Sequence, residues 1–167
     1  AGDSGSSKAS IKPSVGTITG SSSTNTIVID GNDVATLTHD KSIRNSTITL
    51  EGSSYITIKN MTIAATGGTD SWGIQLFDSA HHITIDSNRI NLPIGTTTDI
   101  AGIIGSDSEI SDATQGNNAF DITISNNTIN GGDRGISMYG SFGATTRNQN
   151  ISVTNNTFTN NYNNGIY

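Results

Sequence analysis

Ile122-Thr-Ile-Ser-Asn-Asn-Thr-Ile129 is the stretch on which the reading of this chain turns. Ile122 and Ile124 alternate with Thr123 and Ser125, the period of a strand with one apolar face. Asn126-Asn127 then supplies a bend, and Ile129 resumes the apolar pattern. The same eight-residue pattern recurs without gaps as Ile56-Thr-Ile-Lys-Asn-Met-Thr-Ile63, Ile83-Thr-Ile-Asp-Ser-Asn-Arg-Ile90 and Ile151-Ser-Val-Thr-Asn-Asn-Thr-Phe158. The starts lie 27, 39 and 29 residues apart. A second mark follows each copy: Gly73-Ile74, Gly102-Ile103, Gly135-Ile136 and Gly165-Ile166. A fainter first copy begins at Thr26-Ile-Val-Ile29 and closes at Ile48-Thr-Leu50.

Each copy reads as three short strands, which in the second copy are Ile56–Ile58, Met61–Ile63 and Gly73–Leu76. The connecting turns lack the Asn-Gly or Asp-Gly signal of a hairpin. Such strands can instead pair with the equivalent strand one repeat later, so that each repeat is one coil of a parallel solenoid. Ile58, Ile85, Ile124 and Val153 are then expected to stack as one buried column. Asn60, Ser87, Asn126 and Asn155 share one turn position, followed by Met61, Asn88, Asn127 and Asn156. Asn in such a column can either stack its amides along the axis or tolerate the left-handed backbone of a bend.

Composition agrees with an all-β reading. The 167 residues include 24 Ile against 4 Leu, which favours pleated strands over helices. Thr (24), Ser (22), Asn (19) and Gly (19) fill a chain that is only 32% hydrophobic and 13% charged. No apolar run approaches the 18 or so residues of a membrane span. The absence of Cys excludes disulfides, a thiolate zinc site and a thiol nucleophile. A net charge of −6 with 8 Lys+Arg argues against a nucleic-acid partner.

The Ile-x-Ile-x-x-Asn-x-Ile coils with their Gly-Ile marks resemble the right-handed parallel β-helix, or pectate-lyase-like, superfamily, over residues 26–167. The four copies and the fainter first one amount to about five coils of three short strands each, in a right-handed parallel β-helix. Thr26-Ile-Val-Ile-Asp-Gly31, Ser54-Tyr-Ile-Thr-Ile-Lys-Asn-Met-Thr-Ile63 and Asn161-Tyr-Asn-Asn-Gly-Ile-Tyr167 are similar in texture to β-helix segments of large secreted, adhesin-like bacterial surface proteins. A secreted or cell-surface location is implied with them. Residues 1–25 read as a flexible or partial first coil. The final Gly165-Ile166-Tyr167 falls inside a third strand, so the chain reads as a fragment of a longer solenoid. End-to-end self-association, or further coils of the same chain, is the expected consequence.

Outward residues of the first strands fall into three columns. Thr26, Tyr55, His82, Asp121 and Asn150 make the first; Val28, Thr57, Thr84, Thr123 and Ser152 the second; Asp30, Lys59, Asp86, Ser125 and Thr154 the third. An enzyme of the superfamily would gather carboxylates on this face. Asp86 and Asp121 instead lie about 13 Å apart, too far for a shared calcium or either glycosidase spacing. Asp30–Lys59–Asp86 reads as a surface ion-pair ladder. His81 and His82, as neighbours on a strand, are expected to point to opposite faces and so to share no metal.

Two loops add candidates. Asp107, Glu109 and Asp112 in the loop 105–120 are a weak calcium set, lacking the ligand count of a full site. Tyr139, Phe142 and Arg147 in the next coil's loop suit sugar stacking and hydroxyl recognition. The carbohydrate-binding candidates are therefore Tyr55, Lys59, His82, Asp86, Tyr139, Phe142 and Arg147, with no cofactor beyond that calcium. The leading expectation is a non-catalytic structural or adhesive segment that touches polysaccharide. The alternative is a piece of a polysaccharide lyase or glycoside hydrolase whose catalytic groups lie on other coils.

Overall fold

The computed structural model describes residues 21–39, 45–67, 69–95, 99–108, 111, 114–115, 119–141 and 147–167. Within them the chain forms fifteen strands and no helix. Three strands make each rung: β1 (Ile27–Asp30), β2 (Thr36–His39) and β3 (Ser46–Glu51); β4 (Ser54–Lys59), β5 (Thr62–Ala65) and β6 (Trp72–Phe77); β7 (His81–Asp86), β8 (Arg89–Asn91) and β9 (Ala101–Gly105); β10 (Phe120–Ser125), β11 (Thr128–Asn130) and β12 (Arg134–Met138); β13 (Gln149–Thr154), β14 (Thr157–Thr159) and β15 (Asn164–Ile166). Equivalent strands pair in parallel, giving the sheets β1-β4-β7-β10-β13, β2-β5-β8-β11-β14 and β3-β6-β9-β12-β15. The fold is a parallel β-helix, rising through about four turns from the first rung to the fifth.

The register is the one the repeat implies. Ile29, Ile58, Ile85, Ile124 and Val153 are Cα partners in succession. Ile58, Ile85 and Ile124 are fully buried, and Val153 on the outermost rung is half-buried. Ile56, Ile83 and Ile122 form a second column, and Ile63, Ile90, Ile129 and Phe158 a third across the second sheet. Isoleucine suits these places because its branched side chain fills the space between rungs with little rotamer freedom to lose.

The corner between the first and second sheets resolves the two readings of the Asn pairs, and both hold, one residue apart. Asn60, Ser87, Asn126 and Asn155 all adopt left-handed backbone (φ 53–56°) and make the bend. The next position points inward. Asn88 Nδ2 donates to Asn127 Oδ1 (3.1 Å), and Asn127 Nδ2 donates to Asn156 Oδ1 (3.0 Å). Each amide nitrogen also donates to a carbonyl of the first-sheet strand one rung earlier: Asn88 to Ile58, Asn127 to Ile85 and Asn156 to Ile124. Met61, expected within a strand, lies just before β5 and continues this column, its N–H donating to Asn88 Oδ1 (3.3 Å).

The third sheet differs from the other two. β3, β6 and β9 are buried on both faces. Trp72, Ala101 and Ile104 form a second apolar cluster outside the main core. Trp72 Nε1 donates to Asp99 O (2.8 Å), and Gln75 Nε2 donates to Ser108 O (2.7 Å). The sequence repeat carries no sign of this second layer, because residue type changes from rung to rung there: Trp72, Ala101 and Arg134 share one register position, and Gln75, Ile104 and Ser137 another. The outward faces of the first and second sheets are the ones left to meet solvent or a partner.

Candidate functional site

The richest chemistry lies on the outward face of the first sheet. Its three columns run as expected, with Val28, Thr57, Thr84, Thr123 and Ser152 in register along the middle. Asp30, Lys59, Asp86, Ser125 and Thr154 are in register along one edge. Tyr55, His82, Asp121 and Asn150 occupy the other edge, near the strand starts.

That edge is built on left-handed backbone. Tyr55, His82, Asp121 and Asn150 have φ of 55°, 52°, 54° and 50°. Asp and Asn enter this conformation at modest cost, whereas a bulky non-Gly residue there costs on the order of 1–3 kcal/mol. Stacking offsets part of that cost for Tyr55 and His82, whose ring centroids are 4.4 Å apart and inclined by 28°.

The bend also overturns the expected opposition of His81 and His82. Left-handed φ at His82 breaks strand alternation, so the two imidazoles meet edge to face with centroids 5.2 Å apart. His81 stacks on Phe120 at 4.5 Å and 11°. His82 Nε2 lies 3.3 Å from Asp121 Oδ2, and Asn150 Nδ2 donates to Asp121 Oδ1 (2.8 Å). Phe120 and Asn150 were not among the sequence candidates. Their signal was the register alone, since each sits one rung from a residue already singled out.

The His82 imidazole is already committed to its neighbours. One His82 nitrogen faces Asp121, and the other, Nδ1, is buried without a hydrogen-bond partner. A general base needs a nitrogen within hydrogen-bond reach of the proton it takes, and on His82 that leaves Nε2, which already faces Asp121. The rings also spend one face each on their neighbours, so this edge offers polar groups more than it offers a stacking platform.

At the opposite edge the expected ion-pair ladder is split. Lys59 Nζ pairs with Asp30 at 3.2 Å. The Asn32 N–H, the Asn60 amide and Lys59 hold the Asp30 carboxyl below the usual carboxylate value, in that order of effect. Asp86 is satisfied separately by Ser125 Oγ (2.6 Å), Asn126 Nδ2 (2.8 Å) and Ser87 Oγ (2.9 Å). The Ser125 hydroxyl is the main reason that its carboxyl is also held low, against the opposing effect of burial. Tyr55 with His82 and Lys59 with Asp86 therefore share a face but not a site.

The loop candidates are far less defined. Tyr139 is half-buried just after β12, its N–H donating to Gly105 O (2.7 Å), and Arg147 is exposed. Phe142 lies outside the described residues. Asp107 is exposed, its N–H donating to Thr114 O (3.1 Å), while Glu109 and Asp112 lie outside the described residues. Among the described residues no three His, Asp or Glu side chains converge as a metal would require. Compared with family models, curated proteins and solved structures, the chain finds no match.

Proposed function

We propose that this chain is a non-catalytic β-helix segment of a secreted or cell-surface bacterial protein, and that the outward face of its first sheet holds polysaccharide. The observation that carries the reading is the middle column. Among the described residues the hydroxyls of Thr57, Thr84, Thr123 and Ser152 have no hydrogen-bond partner within the protein. They repeat at the rung spacing of about 4.8 Å on a rigid backbone. Each offers one donor and two acceptor positions, the complement of a sugar hydroxyl. The placement of Asp86 and Asp121 at opposite edges and the commitment of His82 to Asp121 favour binding over the lyase or hydrolase alternative on this face.

The expected result is specific. The double variant Thr84→Val/Thr123→Val removes two hydroxyls but keeps branched, strand-compatible side chains. At about 0.5–1.5 kcal/mol per lost hydrogen bond, it should bind a soluble neutral glycan about tenfold more weakly in affinity electrophoresis. Its thermal midpoint should stay at the parent value. Unaltered retardation would remove the hydroxyl column from the binding surface.

The same reading includes continuation of the stack. β13, β14 and β15 each pair on one side only among the described strands. Ile151, Val153 and Phe158 are half-buried there, whereas their partners Ile122, Ile124 and Ile129 are fully buried. We propose that a second copy of this chain covers this edge. Light scattering of the isolated chain over a concentration series should show a rising mass, and a constant monomer mass would count against self-association.

A further inference from the structure

We infer that the first-sheet face selects uncharged, hydroxyl-rich glycans and rejects polymers bearing carboxylate or sulfate groups. This rests on the polysaccharide reading above and adds the class of ligand to it.

The argument is the arrangement of charge around the free hydroxyls. The column Thr57–Thr84–Thr123–Ser152 runs between two acidic edges. Asp121 stands on one side, and Asp30 and Asp86 on the other. Lys59 is the only Lys or Arg on this face among the described residues, and its ammonium already lies 3.2 Å from Asp30. Three carboxylates thus flank the column; Lys59 stands against Asp30 and the His82 imidazole against Asp121, and no further Lys or Arg lies on this face among the described residues. The whole chain adds to the same field, with a net charge of −6.

A glycan laid along the helix axis meets a new rung about every 4.8 Å. Its hydroxyls can donate to the flanking carboxylates as well as exchange hydrogen bonds with Thr and Ser, and bonds to an ionised acceptor are the stronger kind. A uronate or sulfate group on the same backbone would bring a like charge toward one edge or the other. Like charges placed this closely work against binding and slow the encounter, an effect that salt screens.

Chemically matched polymers test it. A soluble β-glucan and a soluble mannan, each before and after carboxymethylation, are run against the whole chain in affinity electrophoresis at low and at high salt. At least one parent polymer should bind, and its carboxymethylated form should bind about tenfold more weakly at low salt, with the gap narrowing as salt rises. A carboxymethylated form that binds as tightly as its parent at low salt would overturn the charge selection and leave the polysaccharide reading standing. If none of the four polymers binds, the polysaccharide reading fails and the selection fails with it.

Discussion

Asn127→Ala should destabilise the chain by about 3–5 kcal/mol, one of the two largest effects expected from a single substitution. Asn127 is 1% exposed and stands at the centre of the ladder. Its Oδ1 accepts from the Asn88 N–H (2.9 Å) and from Asn88 Nδ2 (3.1 Å). Its Nδ2 donates to Ile85 O (2.9 Å) and Asn156 Oδ1 (3.0 Å). Alanine removes all four links at once and strands two buried donors of Asn88, each of which costs about 1–3 kcal/mol when left unmade. The neighbouring Asn126 supplies the contrast. It is exposed, sits at φ 56°, and gives up one surface bond to Asp86 when replaced. Asn126→Gly should therefore cost less than about 1 kcal/mol, since glycine favours that backbone. Urea midpoints for the pair would decide it, and equal losses would show that the ladder is no more than a turn preference.

Gly102→Ala should cost about 3 kcal/mol, at the upper end for overpacking. A Cβ at this position would lie 2.6 Å from Gly135 O and 2.6 Å from Ile129 Cγ2. The oxygen belongs to the next rung's backbone, so relief requires moving that rung rather than turning a side chain. Gly73 and Gly135 meet the same obstacle, from Gly102 O and Gly165 O, both at 2.5 Å. Gly165 does not. Its nearest neighbour would be Phe158 Cγ at 3.2 Å, with no backbone oxygen among its close contacts. Gly165→Ala should lose less than about 1 kcal/mol. Thermal unfolding of the two variants should therefore separate clearly, and a Gly102→Ala protein as stable as Gly165→Ala would mean that the rungs can spread to admit a methyl group.

Both predictions turn on residues whose spacing was visible before any coordinates. The repeat was enough to establish parallel pairing, the Ile columns and the three outward columns of the first sheet, because each follows from a two-residue period and a fixed offset between copies. The Gly-Ile mark was equally plain, but its cause was not, since a glycine required by the next rung's carbonyl looks the same as one required by a turn. The Asn pairs show the same limit. One member bends the backbone and the other joins the buried ladder, and the choice depends on which side chain the corner turns inward.

The candidate site divides along the same line. That Tyr55, His82 and Asp121 share a column follows from register, which local pattern encodes. That His81 stacks on Phe120 follows from the same register, but that it lies against His82 depends on left-handed φ at His82. The buried outer face of the third sheet, with Trp72, Ala101 and Ile104, likewise rests on register positions whose residue type differs from rung to rung. Sequence alone therefore determined the architecture of this protein, through periodic burial that each rung repeats. Only the tertiary structure decided which faces stay open and which side chains meet at the edges, because those outcomes depend on the path of the chain between rungs.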